Sequence, residues 1–276
     1  MEQIWVFISM FTTMDSNFIF LLLVGVCVAA AAAYLGTFMV LQRMSLVGDA
    51  LSHVALPGLA IALTLHISPM LGAFVALFFA VVGVWYLGEK SSVYPEALVG
   101  VMFTGSLALG LLLTPAPELL EALFGNIEKI TSIEGVMAIL LSLAVIGVAM
   151  LISKKLMLMI VSKDLAKSVG INTALISFVY LMLIGTVVAL GIKFVGTLLT
   201  GALVIIPAAA AKNIGSEMKS YGVMSIIIGI ASAIMGVLIS KSFGLMSGSV
   251  VVLVSIGIFI LTYLMKNWSN KVEVEE

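Results

Sequence analysis

The chain has 276 residues, of which 62% are hydrophobic and only 10% charged, with a mean hydropathy of +1.28 and a net charge of −1. A soluble domain carries about 25% charged residues, so this composition excludes one, and a near-neutral chain without a basic surface excludes a nucleic-acid partner. Its single cysteine, Cys27, excludes an internal disulfide, a CxxC redox pair and a cysteine-rich metal site.

The opening stretch, MEQIWVFISMFTTMDSN, contains no Lys or Arg and so lacks the basic region of a secretory signal. It is expected to be retained, with Trp5, Phe7 and Phe11 at the membrane interface. Apolar runs then predict helical spans at 18–40, 46–66, 70–88, 95–114, 133–153, 173–191, 194–211, 222–240 and 248–265. Runs of about 20 residues are long enough to cross ~30 Å of hydrocarbon as helices. The 194–211 run is short and Gly-rich, and only GIKF separates it from its predecessor; it either crosses or forms a re-entrant element buried in protein. The expectation is an all-α integral membrane protein, a polytopic bundle of eight to nine transmembrane helices forming one transmembrane domain over 1–276.

Basic residues accumulate in cytoplasmic loops. With nine spans and the N-terminus outside, Arg43, Lys90, Lys154, Lys155, Lys163, Lys167, Lys212, Lys219, Lys266 and Lys271 fall inside, and only Lys129, Lys193 and Lys241 outside. Ten against three predicts an outside N-terminus and a cytoplasmic C-terminus. The longer external loop, about 114–132, carries Glu118, Glu121 and Glu128 and reads as a mildly acidic, short-helical surface. The internal loop, about 153–172, has the polar and apolar mixture of a short amphipathic helix ending at Gly170. Gly25, Ala29 and Ala33, and the run GTLLTGALVIIPAAAA around Pro207, are small-residue faces that let helices approach closely in lipid.

The second span holds VGDALSHVALPG, in which Asp49 and His53 stand four residues apart and share a helix face beside Ser52. An ionised carboxylate at the bilayer centre costs about 2.5–3.5 kcal/mol on insertion scales, so it faces a partner or a wet cavity. One carboxylate and one imidazole supply two ligands suited to Mn, Fe or Zn, whereas Ca and Mg prefer oxygen alone. Two other roles remain open from the residues themselves: polar packing or capping near the helix end, and a proton relay. Pro57 and Gly58 are expected to break the helix and free carbonyls that line a pathway. The second histidine, His66, reads as an interfacial loop residue. Walker A, GxSxG and HExxH sequences are absent, so the chain is expected to move or bind a solute rather than transform one.

At LQRMSLVGDALSHVALPG the chain resembles the permease subunits of bacterial and archaeal metal-type ABC importers for zinc, manganese or iron. The resemblance continues through LFGNI (123–127), SKDLAKSVGI (162–171), VGTLLTGALVIIPAAAA (195–211) and SGSVVVL (247–253), nearly the whole chain. It implies a type II importer-like fold in a prokaryotic plasma membrane and a dimer with a second permease subunit, normally a second copy. It also implies cytoplasmic ABC ATPase subunits that hydrolyse ATP, and an extracellular or periplasmic metal-binding protein that delivers the ion. No cofactor is bound permanently; the divalent ion is cargo. By the same resemblance, Asp49 and His53 are the metal-contacting pair. Lys163, Asp164, Leu165, Lys167 and Gly170 belong to the segment that couples to the ATPase. The chain departs from the family pattern at Val54, where a small residue is common, and at Ser162–Lys163, where the coupling segment usually starts with acidic residues or threonine. An ion- or proton-coupled secondary transporter and a siderophore- or cobalamin-type ABC permease are the alternatives.

Overall fold

The computed structural model of the protein describes residues 16–90, 95–113, 130–215 and 217–275. Among them are ten helices and no strand: α1 (Ser16–Leu41), α2 (Ser45–Thr64), α3 (Pro69–Lys90), α4 (Pro95–Leu113), α5 (Ser132–Val161), α6 (Lys163–Ser168), α7 (Thr173–Val195), α8 (Thr197–Ile214), α9 (Met218–Phe243) and α10 (Ser247–Glu275). Each of the nine predicted spans falls on one of the nine longer helices. Seven are long and apolar enough to cross a membrane; the apolar parts of α4 and α8 are shorter. At 1.5 Å per residue the 18 residues of α8 reach ~27 Å.

Local chemistry sets several helix boundaries. Thr131 accepts from the Glu134 backbone N–H while the Glu134 carboxylate accepts from the Thr131 N–H, a capping box that opens α5. The Asn172 side chain caps α7 by accepting from Leu175 N–H at 3.0 Å. Gly196, at φ +82°, turns the chain from α7 into α8, a conformation that costs a residue without Cβ little.

The core lies where α1, α7 and α8 meet α2 and α9. The alanine run Ala29–Ala33 of α1 is buried throughout, and small residues set how near its neighbours come. A Cβ at Gly229 of α9 would stand 2.7 Å from Ala33 Cβ and 3.0 Å from the Ala29 carbonyl oxygen; Gly25 lies under the Phe194 ring, and Gly36 abuts the Val204 carbonyl. Close backbone approach then brings carbonyls within reach of hydroxyls. Ser225 donates to Ala33 O at 2.7 Å, and Tyr180 donates to Leu35 O at 3.2 Å. The small-residue faces read from the sequence thus act as helix contacts.

At one end of the bundle Lys193 of α7 pairs with Glu134 of α5 at 3.0 Å, and the Lys241 ammonium of α9 sits 3.7 Å from the centre of the Phe18 ring. The last turns of α1, α3 and α5 gather with the first turns of α7 at the opposite end, beside α6.

Two expectations are corrected. Residues 153–161 are not loop: α5 continues to Val161, burying Leu156 and Met159 and leaving Lys154 and Lys155 exposed, so its 30 residues extend ~45 Å, beyond a ~30 Å hydrocarbon layer. Nor does Pro57 break α2, which runs unbroken from Ser45 to Thr64. One lost backbone bond is tolerated because the helix is held from outside: at Gly58 and Gly72 the backbones of α2 and α3 touch, each glycine against the other's carbonyl. His66 is exposed just past the end of α2, in a left-handed conformation with φ of 55°. The interfacial Trp5, Phe7 and Phe11, nearly all of the external 114–132 loop, and the LFGNI block lie outside the described residues.

Candidate metal-transfer site

Asp49 and His53 lie one turn apart on α2, Asp49 half-buried and His53 only 7% exposed. The carboxylate is within electrostatic reach of the imidazole. Two neighbouring helices, α8 and α4, fix this stretch. A Cβ on Gly201 of α8 would fall 2.7 Å from Asp49 Cα and 2.9 Å from its nitrogen, so only a glycine allows α8 to lie flush on Asp49. Ser52, between the pair, shares its single hydroxyl hydrogen between the Asp49 carbonyl and the Thr197 carbonyl at the start of α8, each at 2.6 Å. On the other side the His53 ring meets Phe103 of α4 edge to face, with centroids 5.1 Å apart.

Two features suit the site to a cation. His53 Nδ1 is buried with no hydrogen-bond partner among the described residues, as is Thr197 Oγ1; buried polar atoms in this condition are few in native proteins. Pro57 also has no N–H, so the helical bond to the His53 carbonyl cannot form and that oxygen is relieved of its usual donor. Among the described residues no third His, Cys, Asp or Glu joins the pair. A single chain therefore offers one carboxylate and one imidazole, half of a tetrahedral set.

The five other residues singled out in the sequence gather on and around α6, a separate element. Ser162, in extended conformation, caps it by accepting from Leu165 N–H at 3.2 Å. Ala166 is fully buried and anchors the helix, while Lys163, Asp164, Leu165 and Lys167 are exposed. Asp164 in the first turn and Lys167 in the last complement the helix dipole. Gly170, at φ +80°, reverses the chain, and Ile171 N–H returns to the Ala166 carbonyl at 3.0 Å.

Sequence reading gave no role to Phe103, and Thr197 and Gly201 entered it only as members of a helix-packing run. Gly201 sits in a small-residue run that signals close approach, yet nothing in a sequence says which helix approaches.

Residues 14–266 match the model of the ABC 3 transport family. The chain belongs to that family. It is 30% identical over 247 residues to the manganese transport system membrane protein MntC of Listeria monocytogenes, covering 88% of each chain. It is also 30% identical over 260 residues to the high-affinity zinc uptake system membrane protein ZnuB of Buchnera aphidicola, covering 92% of this chain and 99% of ZnuB. The solved structure of PsaBC from Streptococcus pneumoniae in complex with Fab superposes with a TM-score of 0.82 at 27% identity, over 94% of this chain and 95% of the other. The protein is thus a multi-pass membrane permease of the ABC 3 family, similar to membrane subunits of manganese and zinc transport systems.

Proposed function

We propose that the chain is the membrane subunit of an ATP-driven importer that carries a divalent transition-metal ion, manganese or zinc, through a site formed by Asp49 and His53. The observation that carries this reading is the buried imidazole nitrogen without a partner among the described residues, one helical turn from a carboxylate, in a family whose relatives bear the names of manganese and zinc systems. In a two-fold dimer the pair is doubled to two carboxylates and two imidazoles, which replace water around the ion. Because the half-sites belong to different subunits, movement of one subunit against the other dismantles the ligand set and releases the ion. The His53 carbonyl, lacking the Pro57 donor, is a further oxygen on this stretch of α2.

The exposed residues of α6, Lys163, Asp164, Leu165 and Lys167 ahead of Gly170, form the docking element for a cytoplasmic ATPase. A delivery protein supplies the ion from the other side. In this reading the N-terminus lies outside and the C-terminus inside, which the distribution of basic residues supports.

The reading is tested by uptake of radioactive manganese and zinc in cells carrying Asp49→Ala or His53→Ala at wild-type membrane abundance. Loss of at least about tenfold is expected for each, since even groups that only support metal ligands cost this much. Wild-type uptake in both variants rejects the ligand role, and uptake driven by a proton gradient in vesicles without any ATPase establishes the secondary-transporter alternative. Replacing Leu165 by Ala together with Asp164 by Lys is expected to abolish ATPase co-purification while leaving the melting profile of the permease unchanged.

A further inference from the structure

A cavity of about 470 Å³ opens where the last turns of α1, α3 and α5 meet α7 beside α6, and of its lining the function proposed above uses only Lys163. Arg43 and Lys163, both solvent-accessible, bring two cationic side chains to its lining, and no Asp or Glu lines it. Most of the remaining wall is apolar, including Val84, Leu156 and Leu181. Among the described residues the ion pair joins Lys193 to Glu134 at the far end of the bundle, and none joins Arg43 or Lys163 to a carboxylate.

The site is preformed. The Trp85 indole in its wall donates to the Ala174 carbonyl at 3.0 Å, and Tyr180 is held by its bond to Leu35 O. Arg43 sits at φ +59°, a left-handed conformation uncommon for a residue with a side chain. Backbone bonds from Arg43 N–H to Val40 O and from Met44 N–H to Met39 O, at 3.3 and 3.0 Å, hold the turn between α1 and α2 that imposes it. Strain of this kind persists where the surroundings over-determine it, commonly at binding sites.

We propose that this cavity binds the headgroup of an anionic phospholipid, its phosphate between Arg43 and Lys163 and its acyl chains leaving along the apolar wall. A guanidinium grips phosphate oxygens with two donors and an ammonium adds a point charge. Basic pockets between helices at a membrane surface suit such headgroups. Free phosphate satisfies the two cations but leaves the apolar wall uncovered, which is why a ligand with a tail is chosen. Once bound, the lipid bridges the turn between α1 and α2 and the first residue of α6. The proposal is independent of the import reading, because binding is measured without transport.

The full chain, purified in neutral detergent and stripped of lipid, is incubated with radiolabelled phosphatidylglycerol, phosphatidylcholine or inorganic phosphate in separate arms. Preferential retention of phosphatidylglycerol is expected, weakened about fivefold by each of Arg43→Gln and Lys163→Gln and further by the pair. Lys212→Gln, which removes an exposed cation outside the cavity, should leave retention unchanged. Melting profiles recorded for every variant separate loss of the site from loss of the fold. Equal retention of phosphatidylcholine, full retention of phosphatidylglycerol by a folded double variant, or inorganic phosphate bound as tightly as the lipid would each overturn the assignment.

Discussion

Helices α2 and α5 both cross the membrane, yet 72% of the α2 span is buried inside the protein against 28% of the α5 span. The difference runs opposite to that in a soluble protein, where the greasiest helix lies deepest. Between Glu134 and Lys154, α5 carries no ionisable residue and can face hydrocarbon at no cost, whereas α2 carries Asp49, Ser52, His53 and the bond-deficient Pro57. In lipid the hydrophobic effect does not draw one apolar surface to another, leaving close packing and the demand of unsatisfied polar groups for protein partners. The least apolar span is therefore the one surrounded, by α3, α4 and α8, and the site lies on it.

Three substitutions sharpen or break this contrast. The largest effect is expected from Gly201→Leu, whose side chain must enter the space held by the Asp49 backbone; overpacking costs about 1–3 kcal/mol and here meets main chain that cannot yield. Lowered membrane abundance and no metal uptake are expected, and normal abundance with normal uptake would show that α8 does not hold α2 in place. Ser52→Ala removes the hydroxyl tie between α2 and α8 and should cost about 1 kcal/mol in detergent unfolding, with uptake reduced several-fold because the pair is less firmly positioned. The smallest effect belongs to Leu151→Ala on α5. That side chain is 80% exposed, so stability should stay within about 0.5 kcal/mol of wild type; a larger drop would mean that α5 is covered by another subunit.

How far the sequence could be read follows from the range of the interactions. Spans are local: twenty apolar residues announce a helix, and nine runs became nine helices. The pairing of Asp49 with His53 is also local, since a four-residue spacing fixes a shared face. The two misreadings arose where local chemistry is overridden by neighbours. SKKLMLMIV appears polar enough to end a span, but its Leu156 and Met159 are buried by packing and carry α5 onward. Pro57 reads as a break until Gly72 of α3 is seen against the adjacent Gly58. Thr197, Gly201 and Phe103 were illegible for the same reason, as their roles depend on which helices the bundle places beside α2.

The reciprocal glycine contact between α2 and α3 has a mechanical meaning. With Gly58 and Gly72 each resting on the other's main chain, and Ala62 and Ala76 crowding the same crossing, neither helix can slide along its axis without driving carbonyl into carbonyl. The crossing thus pins the separation of α2 and α3 five residues beyond His53, so a larger side chain at either glycine has to part the two helices.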